Sequence, residues 1–289
     1  MLVSGTASQV ATNAHRDNPM RKLVSVFCLI LVCLAFTADA HDLFLKLDTY
    51  FLRPNAHATI RLLNGTFRAS EGVVRRDRLN DASIVAPGGQ VSHPEAGAWR
   101  DAGETTSLDV QTGEAGTYVV GVSTNPREID LKAKEFNDYL AHDGIPDTLA
   151  ERRKNKELGK DIRERYSKHV RAIFQVGDAS TGDFKHSLGY PVEIIPQQNP
   201  YELRAGQTLD VLCTLDGKPL AQQFVLAARE RSGRMSREVS ARTDQNGIAR
   251  IPLTSAGKWY VKMIHMVPAA GTGLEYESKW ATLTFELKH

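Results

Sequence analysis

Cysteine is scarce in this chain, and its placement excludes a disulfide framework. Of three cysteines in 289 residues, Cys28 and Cys33 lie in an apolar amino-terminal run that reads as a removable segment. Cys213 would then be left without a partner, so the fold must be held by burial. Cys213 itself sits in the apolar stretch 209–215 and reads as a small buried hydrophobe. Long hydrophobic runs are equally scarce. The run over residues 23–36 falls short of the ~20 residues a bilayer-spanning helix requires, so no membrane span is expected in the mature chain. An excess of either charge is also missing. Lys and Arg number 36 against 34 Asp and Glu, a formal +2, which argues against nucleic acid as a partner. No serine, cysteine or paired-carboxylate constellation of the catalytic kind stands out.

The amino-terminal segment is built like a signal peptide. Met20-Arg21-Lys22 is a short basic start, residues 23–36 are the apolar stretch, and Ala38 and Ala40 are the small residues that a signal peptidase requires before its cut. Cleavage is expected after Ala40. Phe27 and Val32 precede the two cysteines where a lipoprotein signal needs a small residue, so neither cysteine reads as a lipid attachment site. Residues 1–19 show no periodicity and precede a complete signal peptide, so we expect Met20 to be the true start and 1–19 a spurious or disordered extension. The product is expected to be periplasmic or secreted, and soluble.

Such a cut makes His41 the first residue, with a free α-amino group beside its imidazole. A free α-amine has a reference pKa near ~7.7 and an imidazole near ~6.5, so both kinds of nitrogen can serve as ligands close to neutral pH. Together they can chelate one transition-metal ion, imidazole being suited to Cu, Ni, Zn and Fe. The other amino-terminal copper and nickel motif needs histidine in third place, where this chain has Leu43.

From His41 onward the pattern is mainly β, interrupted by a helical stretch. Leu43, Leu45 and Leu47 alternate with Phe44 and Lys46; further runs end at Asn64-Gly65 and at Pro87-Gly88-Gly89; and Ala115-Gly116-Thr117-Tyr118 opens a strand through Val122. This spacing predicts an amino-terminal β-sandwich over 41–126. Helical spacing is expected over 127–178, in three helices. The first carries Phe136, Tyr139 and Leu140, the second starts at Asp147, and the third runs through Ile162, Tyr166, Val170 and Phe174. His142 and His169 read as surface or helix-packing residues. Strand signals return over 179–289, where Ala256-Gly257-Lys258-Trp259-Tyr260 echoes the Ala115 strand, so a second sandwich of related design is expected. His57, His93, His186 and His289 show no ligand-like spacing.

Several short segments, in this order, carry a family resemblance. They are His41-Asp42-Leu43-Phe44-Leu45, Phe136-Asn137-Asp138-Tyr139-Leu140, Arg163-Glu164-Arg165-Tyr166-Ser167-Lys168, Gly217-Lys218-Pro219-Leu220, Thr243-Asp244-Gln245-Asn246-Gly247, Trp259 through Met266, and Tyr276 through Phe285. Together they resemble the bacterial DUF4198 family, whose members are similar to the substrate-specific component of nickel uptake systems. The resemblance implies two Ig-like or transthyretin-like sandwiches with a helical insertion between them, and a periplasmic role in handling nickel, cobalt or copper. It points to His41 and His265 as metal ligands, with Glu275 and Glu277 as the nearest acidic candidates. Met263 and Met266 could add soft ligands, though methionine near apolar strands is commonly core filler. With no multi-span region, the chain cannot itself be a permease; a membrane transport component would be a partner.

The expected function is therefore transition-metal binding through the mature amino-terminal histidine. Two other classes stand beside it: a metal-free adhesion or carbohydrate-binding module, which sandwiches alone would support, and a copper oxidase or monooxygenase with a histidine brace. The brace enzyme would need a substrate-facing aromatic surface, for which only Phe44, Tyr50 and Phe51 lie near His41.

Overall fold

A computed structural model describes residues 41–269, 271 and 273–288, together with Met1, Leu2 and Gly5. The expected signal peptide over 20–40 lies outside the described residues, as does nearly all of the extension 1–19. The described chain is mainly β and is arranged as three sheets. One four-stranded sheet runs β1 (Asp42–Leu47), β3 (His57–Gly65), β7 (Thr105–Gln111) and β6 (Trp99–Ala102). A second consists of β11 (Val192–Pro196), β12 (Thr208–Leu215) and β13 (Lys218–Pro219), with β17 (Ile248–Pro252) also on β12.

Between them lies an eleven-stranded sheet. Its main path is β15 (Arg234–Met235), β14 (Phe224–Arg231), β18 (Gly257–Pro268), β19 (Tyr276–Leu287), β10 (Ile162–Val176), β8 (Gly116–Thr124), β4 (Leu79–Ala86) and β5 (Gln90–Ser92). The short β16 (Val239–Arg242) pairs with β14, while β2 (Phe51–Leu52) and β9 (Arg127–Leu131) pair with β10. Strand alternation gives this sheet two apolar faces. Val170, Ala172 and Phe174 of β10, with Tyr118, Val120 and Val122 of β8, pack against Leu43, Leu45 and Leu47 of β1. On the other face Trp259, Val261 and Met263 of β18 and Leu283 and Phe285 of β19 pack against Ile194, Val211 and Ile251. The two sandwiches therefore share their middle sheet, which draws strands from all three expected segments instead of breaking at 126 and 178.

The expected third helix is the strand β10. It pairs in parallel with β19 and in antiparallel fashion with β8 and β9. Being central, it is buried on both faces, so it shows no apolar and polar alternation. Several of its polar side chains are paired across the sheet. Glu164 accepts from Ser278 and Tyr139, His169 lies between the hydroxyls of Ser123 and Ser167, and Arg171 pairs with Glu193.

The helical part is confined to α1 (Ala133–His142) and α2 (Pro146–Lys154). Phe136, Tyr139 and Leu140 bury one face of α1 beside Ile264, Tyr276 and Trp280. At its start, Glu135 accepts from the Lys132 amide and Asp161 from the Ala133 amide. It ends in a Schellman turn, with Ile145 N–H donating to Leu140 O at 3.1 Å and Gly144 at φ 81°. That turn fixes where His142 and Asp143 point.

Candidate functional site

Strand β1 carries Asp42 and Phe44 on the face opposite its core leucines. Phe44 packs edge-on to Phe67 at 5.3 Å between ring centroids and lies beside Tyr260. Around this cluster opens a cavity of about 660 Å³. Its walls are the start of β1 with His41, the turn over residues 65–71, the end of α1, Met235 and Glu238, and Tyr260 and Lys262 of β18. The turn is tight because a Cβ on Gly65 would come within 2.7 Å of Ala69 O.

The cavity is acidic. Asp42, Glu71, Asp143 and Glu238 face only Lys262 and Arg68 among its lining residues, a formal excess of two negative charges with both histidines neutral. Lys262 is almost fully buried and donates to Asp42 at 2.7 Å and to Asp143 at 3.1 Å. Burial disfavours its ammonium, but the two carboxylates outweigh that and hold its pKa above the ordinary lysine range. Burial likewise raises the Asp143 carboxyl, against the pull of Lys262. Tyr260 donates to Glu238 at 2.5 Å, and burial together with that carboxylate raises its phenol.

At the mouth, His41 Nε2 stands 3.5 Å from Glu71 Oε2. His142, exposed at the end of α1, lines the same cavity, its Nδ1 2.7 Å from Asp138 O. The donor set suits a transition-metal cation in one specific way. An amine and a ring nitrogen of the same histidine chelate through Nδ1, the nitrogen nearer the main chain, which leaves Nε2–H to donate to a carboxylate, the usual outer partner of a metal-bound histidine. Glu71 is placed for that role. Among the described residues, no three His, Cys, Asp or Glu side chains already stand together as a ligand cage, so the α-amine would be indispensable.

The expected partners of His41 lie elsewhere. His265 is three residues beyond Lys262, so alternation turns it to the opposite face of β18. It lines a separate cavity of about 200 Å³ beside Gln223, whose Oε1 is 3.2 Å from its Nδ1. Burial, then the nearby Lys279, lowers its pKa. Glu275 accepts from the Arg163 amide at 2.6 Å and so caps the junction of β10 and β19. Glu277 pairs with Lys279 at 3.0 Å. The four expected ligands therefore do not converge. Met263 is core, and Met266 packs against the cluster around α1.

Glu71, His142, Asp143, Glu238 and Lys262 were not anticipated. One sequence signal was available for Lys262: a lysine inside the apolar stretch from Trp259 to Met266 needs buried carboxylates to satisfy it.

No curated protein matches the sequence. Among solved structures, similarity is found to the D0-D1 domain of intimin, at 12% identity over 84% of this chain and 97% of that one, with a TM-score of 0.21. Murine CEACAM1b matches at 9% identity over 86% and 99% of the two chains, with a TM-score of 0.19. The Escherichia coli adhesin FdeC matches at 10% identity over 87% and 65%, with a TM-score of 0.20. Among the described residues no helix is long and apolar enough to cross a membrane. The model of a domain of unknown function, DUF4198, matches residues 38–267 and so takes in β1, both helices and nearly all of β18; the chain belongs to that family.

Proposed function

We propose that this is an extracytoplasmic protein that binds a transition-metal cation, of nickel, cobalt or copper type, through the α-amine and imidazole of His41 in the acidic cavity. The observation that carries the reading is the approach of His41 Nε2 to Glu71 at 3.5 Å, at the mouth of a cavity whose carboxylates outnumber its cations. The formal negative excess favours a cation, and Glu71 would fix the ring and raise its basicity. A binding protein of this kind would buffer the ion or hand it to a membrane transport component. Because His265 lies on the far face of β18, we assign it no part in the site.

The test uses calorimetry with Cu(II) and Ni(II) on three proteins: the chain beginning at His41, the same chain with one alanine added in front, and Glu71→Gln. Added alanine turns the amine into an amide and should weaken binding by on the order of 100-fold or more, since a chelate loses one of its two arms. Glu71→Gln should cost about 10- to 100-fold, the usual penalty for losing an outer carboxylate. Affinity should fall as pH drops, because protons compete with the metal for its nitrogen ligands. Equal affinity for the first two proteins would remove the amine from the site. An absence of binding by all three would leave the metal-free module as the better reading.

A further inference from the structure

On the other side of β1 lies a second, smaller cavity of opposite charge. Arg75, Arg78, Arg127 and Lys168 line it together with Thr124 and Asn64, and no carboxylate is among its lining residues. Asp77 is engaged by Arg75 through two bonds of 2.8 and 3.1 Å and acts on Arg78 and Arg127 through space. The other three cations line the cavity without a carboxylate beside them in its lining.

Two of them are buried or half-buried with no carboxylate among the residues that line the cavity. Lys168 is only 5% exposed. Its ammonium donates to the carbonyl oxygen of His41 and lies 5.0 and 5.4 Å from the rings of Trp280 and Tyr166, while the carboxylates of Asp42, Glu164 and Asp143 act on it only through space. Arg78 is half-buried, and its Nε is a buried donor with no hydrogen-bond partner. Buried cations are normally paired and buried N–H groups normally bonded, because leaving either unmatched is costly.

We propose that this cavity binds a small oxyanion, of phosphate, sulfate or carboxylate chemistry, with Arg78, Arg127 and Lys168 as its cationic ligands and Thr124 as a neutral donor. Size agrees with this. The cavity measures about 70 Å³, and one water takes about 10–15 Å³ of such space, so there is room for a group of about five heavy atoms, as in a tetrahedral oxyanion. Guanidinium groups present paired N–H donors that match such an anion. Lys168 also ties this cavity to the acidic one, since it donates to the carbonyl of His41, a lining residue of the latter.

The experiment is calorimetry and thermal unfolding of the chain from His41 onward, with EDTA present so that metal binding plays no part. Inorganic phosphate, sulfate and acetate are titrated separately at constant ionic strength, with chloride as the comparison. At least one oxyanion should bind saturably and raise Tm, and the three arms identify which. Arg78→Gln and Arg127→Ala should each weaken that binding about tenfold or more, the worth of a charge-assisted hydrogen bond. Lys134→Ala, on the exposed face of α1, should leave it unchanged. Arg127 is exposed, so its variant tests the site even if Arg78→Gln fails to fold. Binding no stronger than that of chloride, or binding unaltered in Arg127→Ala, would overturn the proposal.

Discussion

Two buried groups of β10 titrate in opposite directions, and their difference is measurable. Burial pushes His169 down to about 4 and pushes Glu164 up to about 7. Between about pH 6.5 and 4.5 the unfolded chain protonates the histidine while the folded chain does not, so this group alone lowers stability as pH falls. Glu164 works the other way. It is protonated in the folded chain below about 7 and ionised in the unfolded chain above ~4.5, so its contribution rises as pH falls. Each slope is roughly 1.4 kcal/mol per pH unit and the two nearly cancel. Relative to the parent, Glu164→Gln should therefore lose stability on acidification through this window, and His169→Asn should gain it. Urea unfolding at stepped pH would show the two variants diverging from the parent; parallel curves for all three would mean that neither group is shifted. Of the residues at the candidate site, His41 was legible in the sequence through the signal-like segment expected before it, and Lys262 carried a local cue as a lysine within an apolar strand. Glu71, His142, Asp143 and Glu238 reach it from separate turns and a helix end, a convergence that only the tertiary fold specifies.

The end of α1 is where an element most directly shapes the cavity. A Cβ on Gly144, at φ 81°, would come within 2.7 Å of Leu226 Cδ1. Gly206 has a similar backbone at φ 92° with nothing within 4 Å. Gly206→Ala should therefore cost about 1–2 kcal/mol from backbone strain alone, and Gly144→Ala more. Only Gly144→Ala should also weaken ligand binding in the acidic cavity, since it displaces His142 and Asp143. Thermal unfolding and calorimetry on the pair would show this, and equal losses would assign no role to the Leu226 contact. The sequence made most strands legible through their turn residues and alternation. It concealed β10 because a strand covered on both sides needs no alternation, and because Ile162, Tyr166, Val170 and Phe174 also fit a helical period. The shared middle sheet was hidden for a related reason. Each half of the chain shows its own strands, but the pairing of β10 with β19 joins residues more than a hundred positions apart.

At the scale of the whole molecule, the first strand is fastened by the last. Thr282 donates to Leu43 O at 2.9 Å and Thr284 to Leu45 O at 2.6 Å, each across 239 residues. Contacts of such separation form slowly, because loop closure must precede the energy they return. The residues lining the acidic cavity all precede position 263, yet the strand that presents His41 and Asp42 has its final support only when β19 is in place. A chain ending at residue 270 should accordingly show no cooperative unfolding transition and no metal binding, despite containing every group of the site; retention of either would mean that β19 is dispensable. During synthesis, then, β1 gains its final support last. If the acidic cavity binds a cation as proposed, a partly made or clipped chain would emerge empty-handed, and occupancy would report that the molecule is complete.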